Sequence, residues 1–160
     1  MTGNEDIAAK FWKSLKSDRT AMLWVEGTTG SRPMTVLLDP ETEESPLWIF
    51  TSNDTDLVRD LSSAKKASLA FSSKGHDLFG SVDGEISISN DRAVIDKLWN
   101  PFVAAWFEGG KEDPKLTLLR FDGTDAKVWI DGSSLLAGAK ILLGVDPKKD
   151  YQDKVAEIEI

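Results

Sequence analysis

The stretch that decides the fold is Pro46-Leu47-Trp48-Ile49-Phe50-Thr51-Ser52-Asn53-Asp54, which continues into Thr55-Asp56-Leu57-Val58-Arg59-Asp60-Leu61. Its apolar first half predicts a strand, and the spacing of the later apolar residues predicts a helix over Asp56–Ala64. The polar residues between them allow two interpretations. They cap the helix, with Asp54 or Thr55 as N-cap, or they bind an anion with hydroxyls and unpaired backbone N–H groups.

The composition is that of one globular domain of 160 residues, 41% hydrophobic and 29% charged. Lys and Arg number 19 against 27 Asp and Glu, giving a net charge of −8. This acidic balance opposes nucleic-acid and anionic-membrane partners, which require a basic face. The sequence shows no cysteine, no apolar run of the ~20 residues that span a bilayer and no signal-peptide pattern, so we expect a cytoplasmic protein.

Apolar alternation and turn signals around the opening stretch predict six or seven mostly antiparallel strands with short helices between them. Besides the opening strand, these are Thr20–Glu26, Met34–Leu38, Ala67–Ser72, Leu78–Asn90, Leu116–Phe121 and Ala126–Ile130. The last two strands are joined by Asp122-Gly123-Thr124, a tight hairpin signal. The pattern favours a β-barrel with helical decoration over a doubly wound parallel sheet.

Helical spacing predicts a first helix over Asp6–Ser17, a short helical piece over Phe102–Phe107 and a last short helix over Leu135–Leu143. Residues 1–145 are expected to form the folded domain, and residues 146–160 a loosely attached tail. The apolar residues of that tail either add an edge strand or fray.

The sequence gives little support for a hydrolase, a metal site or a nucleotide-binding site. His76 is the only histidine, and it lies in a polar turn with no G-x-S-x-G motif to pair with. A structural zinc site requires cysteines or several histidines, so we predict no metal. Neither a dinucleotide fingerprint nor a P-loop occurs.

The sequence around three of the six tryptophans indicates where their rings lie. Trp129 lies on the polar face of its strand, where a large ring requires a cover, either a partner subunit or a planar ligand. Trp99 and Trp106 flank Pro101, and for them the setting favours core packing of two short helices.

Eight segments, in their order and spacing, carry a resemblance to a known family. They are Ser31–Thr35, Leu47–Ser52, Asp91–Ala93, Leu98–Pro101, Ala105–Gly110, Asp113-Pro114, Leu118–Arg120 and Val128–Asp131. The chain resembles the pyridoxamine-phosphate-oxidase-like flavin-binding split barrels, and within them the general-stress-protein branch. The resemblance covers residues 11–139.

The resemblance implies a mainly β fold, a six-stranded antiparallel split β-barrel with short peripheral helices. It also implies a homodimer with FMN, or FAD in some members, between the subunits. The implied contacts are Arg32, Pro33, Met34 and Thr35 for the ring and phosphate region, Phe50, Thr51 and Ser52 for the phosphate and ribityl chain, and Trp129 from the second subunit. The flavin would carry the redox chemistry, and no side chain need act as acid or base.

Two positions depart from the pattern of the family. Many relatives carry a lysine where this chain has Leu57, and a basic residue where it has Leu135. A lost charge-assisted hydrogen bond costs about 1.5–3 kcal/mol, and Arg59 points away from the position that Leu57 occupies.

Two hypotheses follow from these departures. The first is a general-stress-type flavin-binding protein, a flavin-dependent oxidoreductase of unknown substrate. The second is a non-enzymatic, stress-related split-barrel dimer that binds its cofactor weakly or has lost it. Full pyridoxamine-phosphate oxidase activity is a weak third interpretation, because basic residues for a second phosphate are not evident.

Overall fold

One antiparallel sheet makes up most of the chain in the computed structural model, which describes residues 3–42, 44–130 and 155–160. The strands are β1 (Thr20–Val25), β2 (Arg32–Thr35), β3 (Leu37–Leu38), β4 (Leu47–Ser52), β5 (Lys65–Ser72), β6 (Leu78–Ile88), β7 (Leu116–Ile130) and β8 (Val155–Glu159). The helices are α1 (Gly3–Asp18), α2 (Asp56–Arg59), α3 (Arg92–Leu98) and α4 (Pro101–Ala104), with a 3-10 turn at Gly110–Glu112. Leu135 and the predicted helix Leu135–Leu143 lie outside the described residues.

The strand order makes the sheet curl. Seven strands run in the order β2-β1-β5-β6-β7-β4-β3, and β8 pairs with β7. The strands at the two ends of this order, β2 and β3, are separated in sequence by Val36 alone. The two edges must therefore meet at Val36, and we call this meeting line the seam. The fold is thus mainly β, an antiparallel half-barrel with helices around it.

The main core lies inside the curl, under α1. Alternate residues of β1 are buried, as expected for a strand with one face on a core. The predicted apolar stripe of the first helix is confirmed, since Ile7, Phe11 and Leu15 are all buried in this cluster. A Cβ atom on Gly80 would lie 2.6 Å from Cε2 of Phe11. The glycine therefore makes the room that the ring fills.

The predicted hairpin at Asp122-Gly123-Thr124 is wrong. β7 runs through these residues as one strand along β6, with a register shift between Asp83 and Gly84 that leaves Thr124 as an extra residue. A Cβ atom on Gly84 would lie 2.1 Å from the carbonyl oxygen of Asp122. The glycine permits a bulge, where a long strand bends without ending.

The number of strands also differs from the six or seven expected, because the described residues form eight. The predicted strand Met34–Leu38 is divided at Val36, since β2 pairs with β1 and β3 pairs with β4. Of the two alternatives for the end of the tail, the structure has the edge strand, with Ala156 opposite Val128. None of the helices in the described part of the chain has the length and apolarity to cross a bilayer.

Candidate functional site

A cavity of about 370 Å³ opens at the seam, between β2 and β4. Residues 100–107, around α4, form the opposite wall, which we call the α4 wall. The volume of the cavity falls within the roughly 300–1,000 Å³ of small-molecule sites. Hydroxyl groups lie along β4 and the start of α2, and aromatic side chains lie along the α4 wall. The arrangement suits a ligand with an apolar, planar part and a polar end.

Six of the eight predicted contact residues line this one cavity, namely Pro33, Met34, Thr35, Phe50, Thr51 and Ser52. Arg32 begins β2 and is half-buried, and it does not line the cavity. Trp129 lies on the outer face of β7, with the ammonium nitrogen of Lys127 5.5 Å from its ring centroid. The predicted role of Trp129 as a contribution from a second subunit stays a prediction.

The turn from β4 into α2 is a capped strand-to-helix turn. Thr55 is the N-cap, and its Oγ1 accepts a hydrogen bond from the backbone N–H of Val58 at 3.3 Å. The helix ends at Arg59 instead of Ala64, with Asp60 as its C-cap. A four-residue helix carries little dipole, so side-chain hydroxyls provide most of the polar character here.

Asp54 engages one of those hydroxyls. Ser52 Oγ donates to Asp54 Oδ1 at 2.6 Å, and Lys115 Nζ lies 3.4 Å from Asp54 Oδ2. The hydrogen bond from Ser52, supported by Lys115, lowers the pKa of Asp54 below its ordinary 3.8. The carboxyl is therefore ionised at neutral pH. An anion that binds at Ser52 has to compete with this carboxylate.

Leu57 does not face the cavity. Its side chain is only 3% exposed and belongs to the main core. A lysine at this position would have to bury its charge, which proteins rarely tolerate without a partner. Leu57 therefore lies in the core of this chain and does not line the cavity, and the weaker flavin binding expected from this departure stays a prediction. Arg59 does not line the cavity either, and it forms an ion pair with Asp56 at 3.5 Å.

The α4 wall presents two exposed aromatic side chains to the cavity. Asn100 caps α4 by accepting hydrogen bonds from the N–H groups of Phe102 and Val103 at 2.9 and 3.0 Å. The helix then lasts a single turn, too short to bury both of its faces. The side chain of Phe102 is 72% exposed and that of Trp106 is 84% exposed, and both line the cavity.

Core packing is therefore confirmed for one tryptophan of the pair and wrong for the other. The Trp99 ring packs edge-on against Phe50 at 6.0 Å between centroids and tilted against Phe107 at 6.4 Å. Trp106 has no such cover among the described residues. Its identity gave no sign of this, because the exposed face of a one-turn helix has no periodic pattern to read.

Polar contacts join the segments that flank the α4 wall on either side. Arg92 forms an ion pair with Glu112 and donates to the carbonyl oxygen of Lys111 at 2.8 Å. Asp113 accepts from the backbone N–H groups of Lys115 at 2.9 Å and Gly109 at 3.0 Å. These two hydrogen bonds, the one from Lys115 first, lower the pKa of Asp113 below 3.8.

Arg19 is a cavity residue that the sequence analysis did not single out. It lies between α1 and β1 with a φ of 63°, a left-handed conformation that usually favours glycine after a helix. Its N–H bonds to the Leu15 carbonyl oxygen at 2.8 Å, and its own carbonyl accepts from Val36 N–H at 2.6 Å. Its guanidinium carbon lies 5.7 Å from the ring centroid of Phe102. The side chain thus connects the strand side of the cavity with the α4 wall.

Comparison with known proteins supports the same family as the sequence motifs. The family model for pyridoxamine 5'-phosphate oxidase-like proteins matches residues 6–151. The chain belongs to this family. Its relatives include several general stress proteins.

Three of these relatives show how far the similarity extends. A solved structure, the general stress FMN/FAD binding protein of Xanthomonas citri, is 48% identical with a TM-score of 0.77, over 81% of this chain and 92% of that one. General stress protein 26 of Bacillus subtilis is 28% identical over 106 residues, 64% of this chain and 72% of that protein. Protein bli-3 of Neurospora crassa is 30% identical over 82 residues, 46% of this chain, and the match spans 39% of that longer relative.

Proposed function

We propose that this chain is a general-stress-type flavin-binding protein that holds FMN, or alternatively FAD, in the cavity at the seam. One observation carries the proposal. The cavity brings Pro33-Met34-Thr35 of β2 together with Phe50-Thr51-Ser52 of β4, the two segments that the family resemblance assigns to the flavin. A relative 48% identical to this chain is an FMN/FAD binding protein.

The residues present fit a flavin. The hydroxyls of Thr51, Ser52 and Thr55 suit the phosphate and ribityl chain, and the apolar side chains of β2 and β4, Pro33, Met34 and Phe50, suit the ring. β2 is a terminal strand, so one of its edges carries unpaired backbone groups that can hydrogen-bond a planar ligand. A bound flavin supplies electron transfer or hydride transfer, and the protein supplies binding and orientation. We propose a flavin-dependent oxidoreductase on this basis.

We further propose a homodimer that uses the outer face of the sheet. Met22, Trp24 and Phe79 are exposed large side chains on this face. The strand register places Pro33 beside Met22, so the cavity wall continues directly into this face. A second copy that covers the face would also border the cavity, where the partner's Trp129 is predicted to reach the flavin.

The flavin proposal is tested by titrating purified protein with FMN and with FAD while flavin fluorescence and the visible spectrum are recorded. We expect saturable binding. Ser52→Ala is expected to weaken FMN binding by roughly 2–10-fold, the cost of one hydrogen bond. Ser62→Ala, on an exposed turn, is the matched control. A colourless protein that binds neither flavin at high micromolar concentration would overturn the proposal.

The dimer is tested by light scattering coupled to gel filtration. We expect twice the chain mass for the natural sequence and a shift to the chain mass for Phe79→Asp. A monomer with undiminished FMN affinity would exclude an arrangement in which the second subunit completes the site.

One observation favours the alternative, a split-barrel dimer with weak or lost cofactor binding. The ionised Asp54 carboxylate holds the Ser52 hydroxyl, and it would repel a phosphate at that position. This competition would weaken phosphate binding independently of Leu57, which lies in the core.

A further inference from the structure

The flavin proposal leaves one end of the cavity without an assigned role. This end is formed by Arg19, Phe102 and Trp106, which line the same cavity as the flavin-contacting strands. Phe102 and Trp106 come from one turn of helix and the residues directly after it. Their exposed rings contribute little to the core, so their identity is not explained by packing.

The charge of this end is opposite to that of the whole chain. Of the described residues that line the cavity, Arg19 is the one with a charged side chain, although the chain carries a net charge of −8. Within the described ranges the Arg19 guanidinium contacts the Phe102 ring and forms no ion pair with a carboxylate. Its donors are therefore available to an anionic ligand.

The backbone at Arg19 gives a second, independent reason to look for a function. A non-glycine residue with a φ of 63° is strained, and a glycine would satisfy the same end of α1 at lower cost. The two backbone hydrogen bonds of Arg19 fix the base of its side chain beside the cavity. Strain of this kind persists where the surrounding structure determines the conformation, as these two hydrogen bonds do here.

We propose that Arg19, Phe102 and Trp106 bind a planar aromatic carboxylate, the substrate class of the proposed flavin site. The two exposed rings stack on a planar ligand, and the guanidinium pairs with its carboxylate through two parallel hydrogen bonds. A neutral aromatic compound lacks the second contact, and a non-planar acid lacks the first. The inference rests on the proposed function, because it assigns the remaining end of the same cavity.

The test measures, by calorimetry, the affinity of the FMN-loaded protein for three probes of similar size. These are 2-naphthoate, the neutral 2-naphthamide and the non-planar decahydro-2-naphthoate. We expect 2-naphthoate to bind about tenfold more tightly than either of the others, since each lacks one of the two contacts. Equal affinity for all three would overturn the proposal.

The variants separate the two contacts. Arg19→Gln is expected to weaken 2-naphthoate about tenfold and leave 2-naphthamide unchanged, whereas the double variant Phe102→Ala, Trp106→Ala weakens both. Arg19→Gly is expected to raise the melting temperature, because glycine adopts a φ of 63° without strain. The same variant is expected to lose the preference for 2-naphthoate over 2-naphthamide. An arginine with a purely structural role would not show both effects. Arg120→Gln removes the same charge from a position outside the cavity and serves as the control.

The outcomes distinguish this inference from the flavin proposal. FMN affinity is measured separately in every variant, and a loss of FMN binding in the double variant would mean that the rings hold the flavin and would overturn the inference. A change of oligomeric state in that variant would overturn it too, because the rings would then be a subunit contact. If the natural protein binds no FMN, the same titrations on the flavin-free protein decide the inference alone.

Discussion

Phe11 and Phe102 are the same residue type on two helices, and the molecule uses them in opposite ways. Phe11 is 1% exposed, in a space that Gly80 leaves for it, whereas Phe102 is 72% exposed at the cavity. The first ring has a surface shaped to receive it, and the second has none within the described chain. The difference separates a side chain kept for stability from one available to a ligand.

The largest expected effect comes from breaking this pair. Phe11→Ala is expected to lower the free energy of unfolding by about 3–5 kcal/mol, since it removes a buried ring and leaves a void. Phe102→Ala is expected to change it by no more than about 0.5 kcal/mol. Denaturant titrations of both variants measure the contrast, and similar losses would mean that the α4 wall is part of the core.

A smaller effect is expected on the other side of the buried contact. Gly80→Ala places a Cβ atom 2.6 Å from the Phe11 ring, and overpacking of this kind costs about 1–3 kcal/mol. Gly75→Ala is the matched control, because the nearest atom to its Cβ is 3.7 Å away in the Asp77 side chain. If Gly80→Ala proved neutral by thermal unfolding, α1 would pack less tightly than described.

At the cavity side of the comparison, Asp54→Asn tests the competition at Ser52. Removal of one negative charge beside a phosphate relieves a repulsion, so FMN is expected to bind roughly fivefold more tightly. Glu26→Gln removes the same charge at a distance and controls for the net charge. Unchanged or weaker binding after Asp54→Asn would show that Asp54 does not oppose the cofactor.

The smallest effect is a pH dependence at the α4 wall. Because the pKa of Asp113 is lowered, its ionised form adds stability above pH 3.8, and that stability is lost as the pH falls through the lowered pKa. The difference in unfolding free energy between the natural protein and Asp113→Asn should therefore shrink as the pH is taken below 3.8. A constant difference across that range would contradict the role of the two N–H bonds to this carboxylate.

Much of the fold could be predicted because its strands alternate clearly. The strands predicted at Thr20–Glu26 and Leu78–Asn90 agree with β1 and β6 to within two residues. The break predicted at Asp122-Gly123-Thr124 failed for a physical reason, because the residues that make a tight turn also make a bulge. Which one forms depends on the partner strand. Here that strand is β6, and its Gly84 is distant in the sequence from Asp122.

The site was accessible through the paired segments of β2 and β4, and the rest of its lining was not. Trp106 follows a one-turn helix, where no periodicity tells a covered face from an open one. Arg19 is an ordinary charged residue in the sequence, and its left-handed backbone is known only from the structure. The burial of Leu57 is likewise known only from the structure, since its direction depends on where α2 packs.

The single-residue link at Val36 gives the cavity a mechanical property. One residue spans at most about 3.6 Å, so β2 and the β3–β4 pair cannot move apart at that end. Val36 is buried, and its N–H is bonded to the carbonyl oxygen of Arg19 at 2.6 Å. Arg32 and Ser52, at the far ends of the two walls, have no such tether between them in the described chain. The two walls are therefore held together at Val36, and the width of the cavity is set by how far the strands diverge from that point.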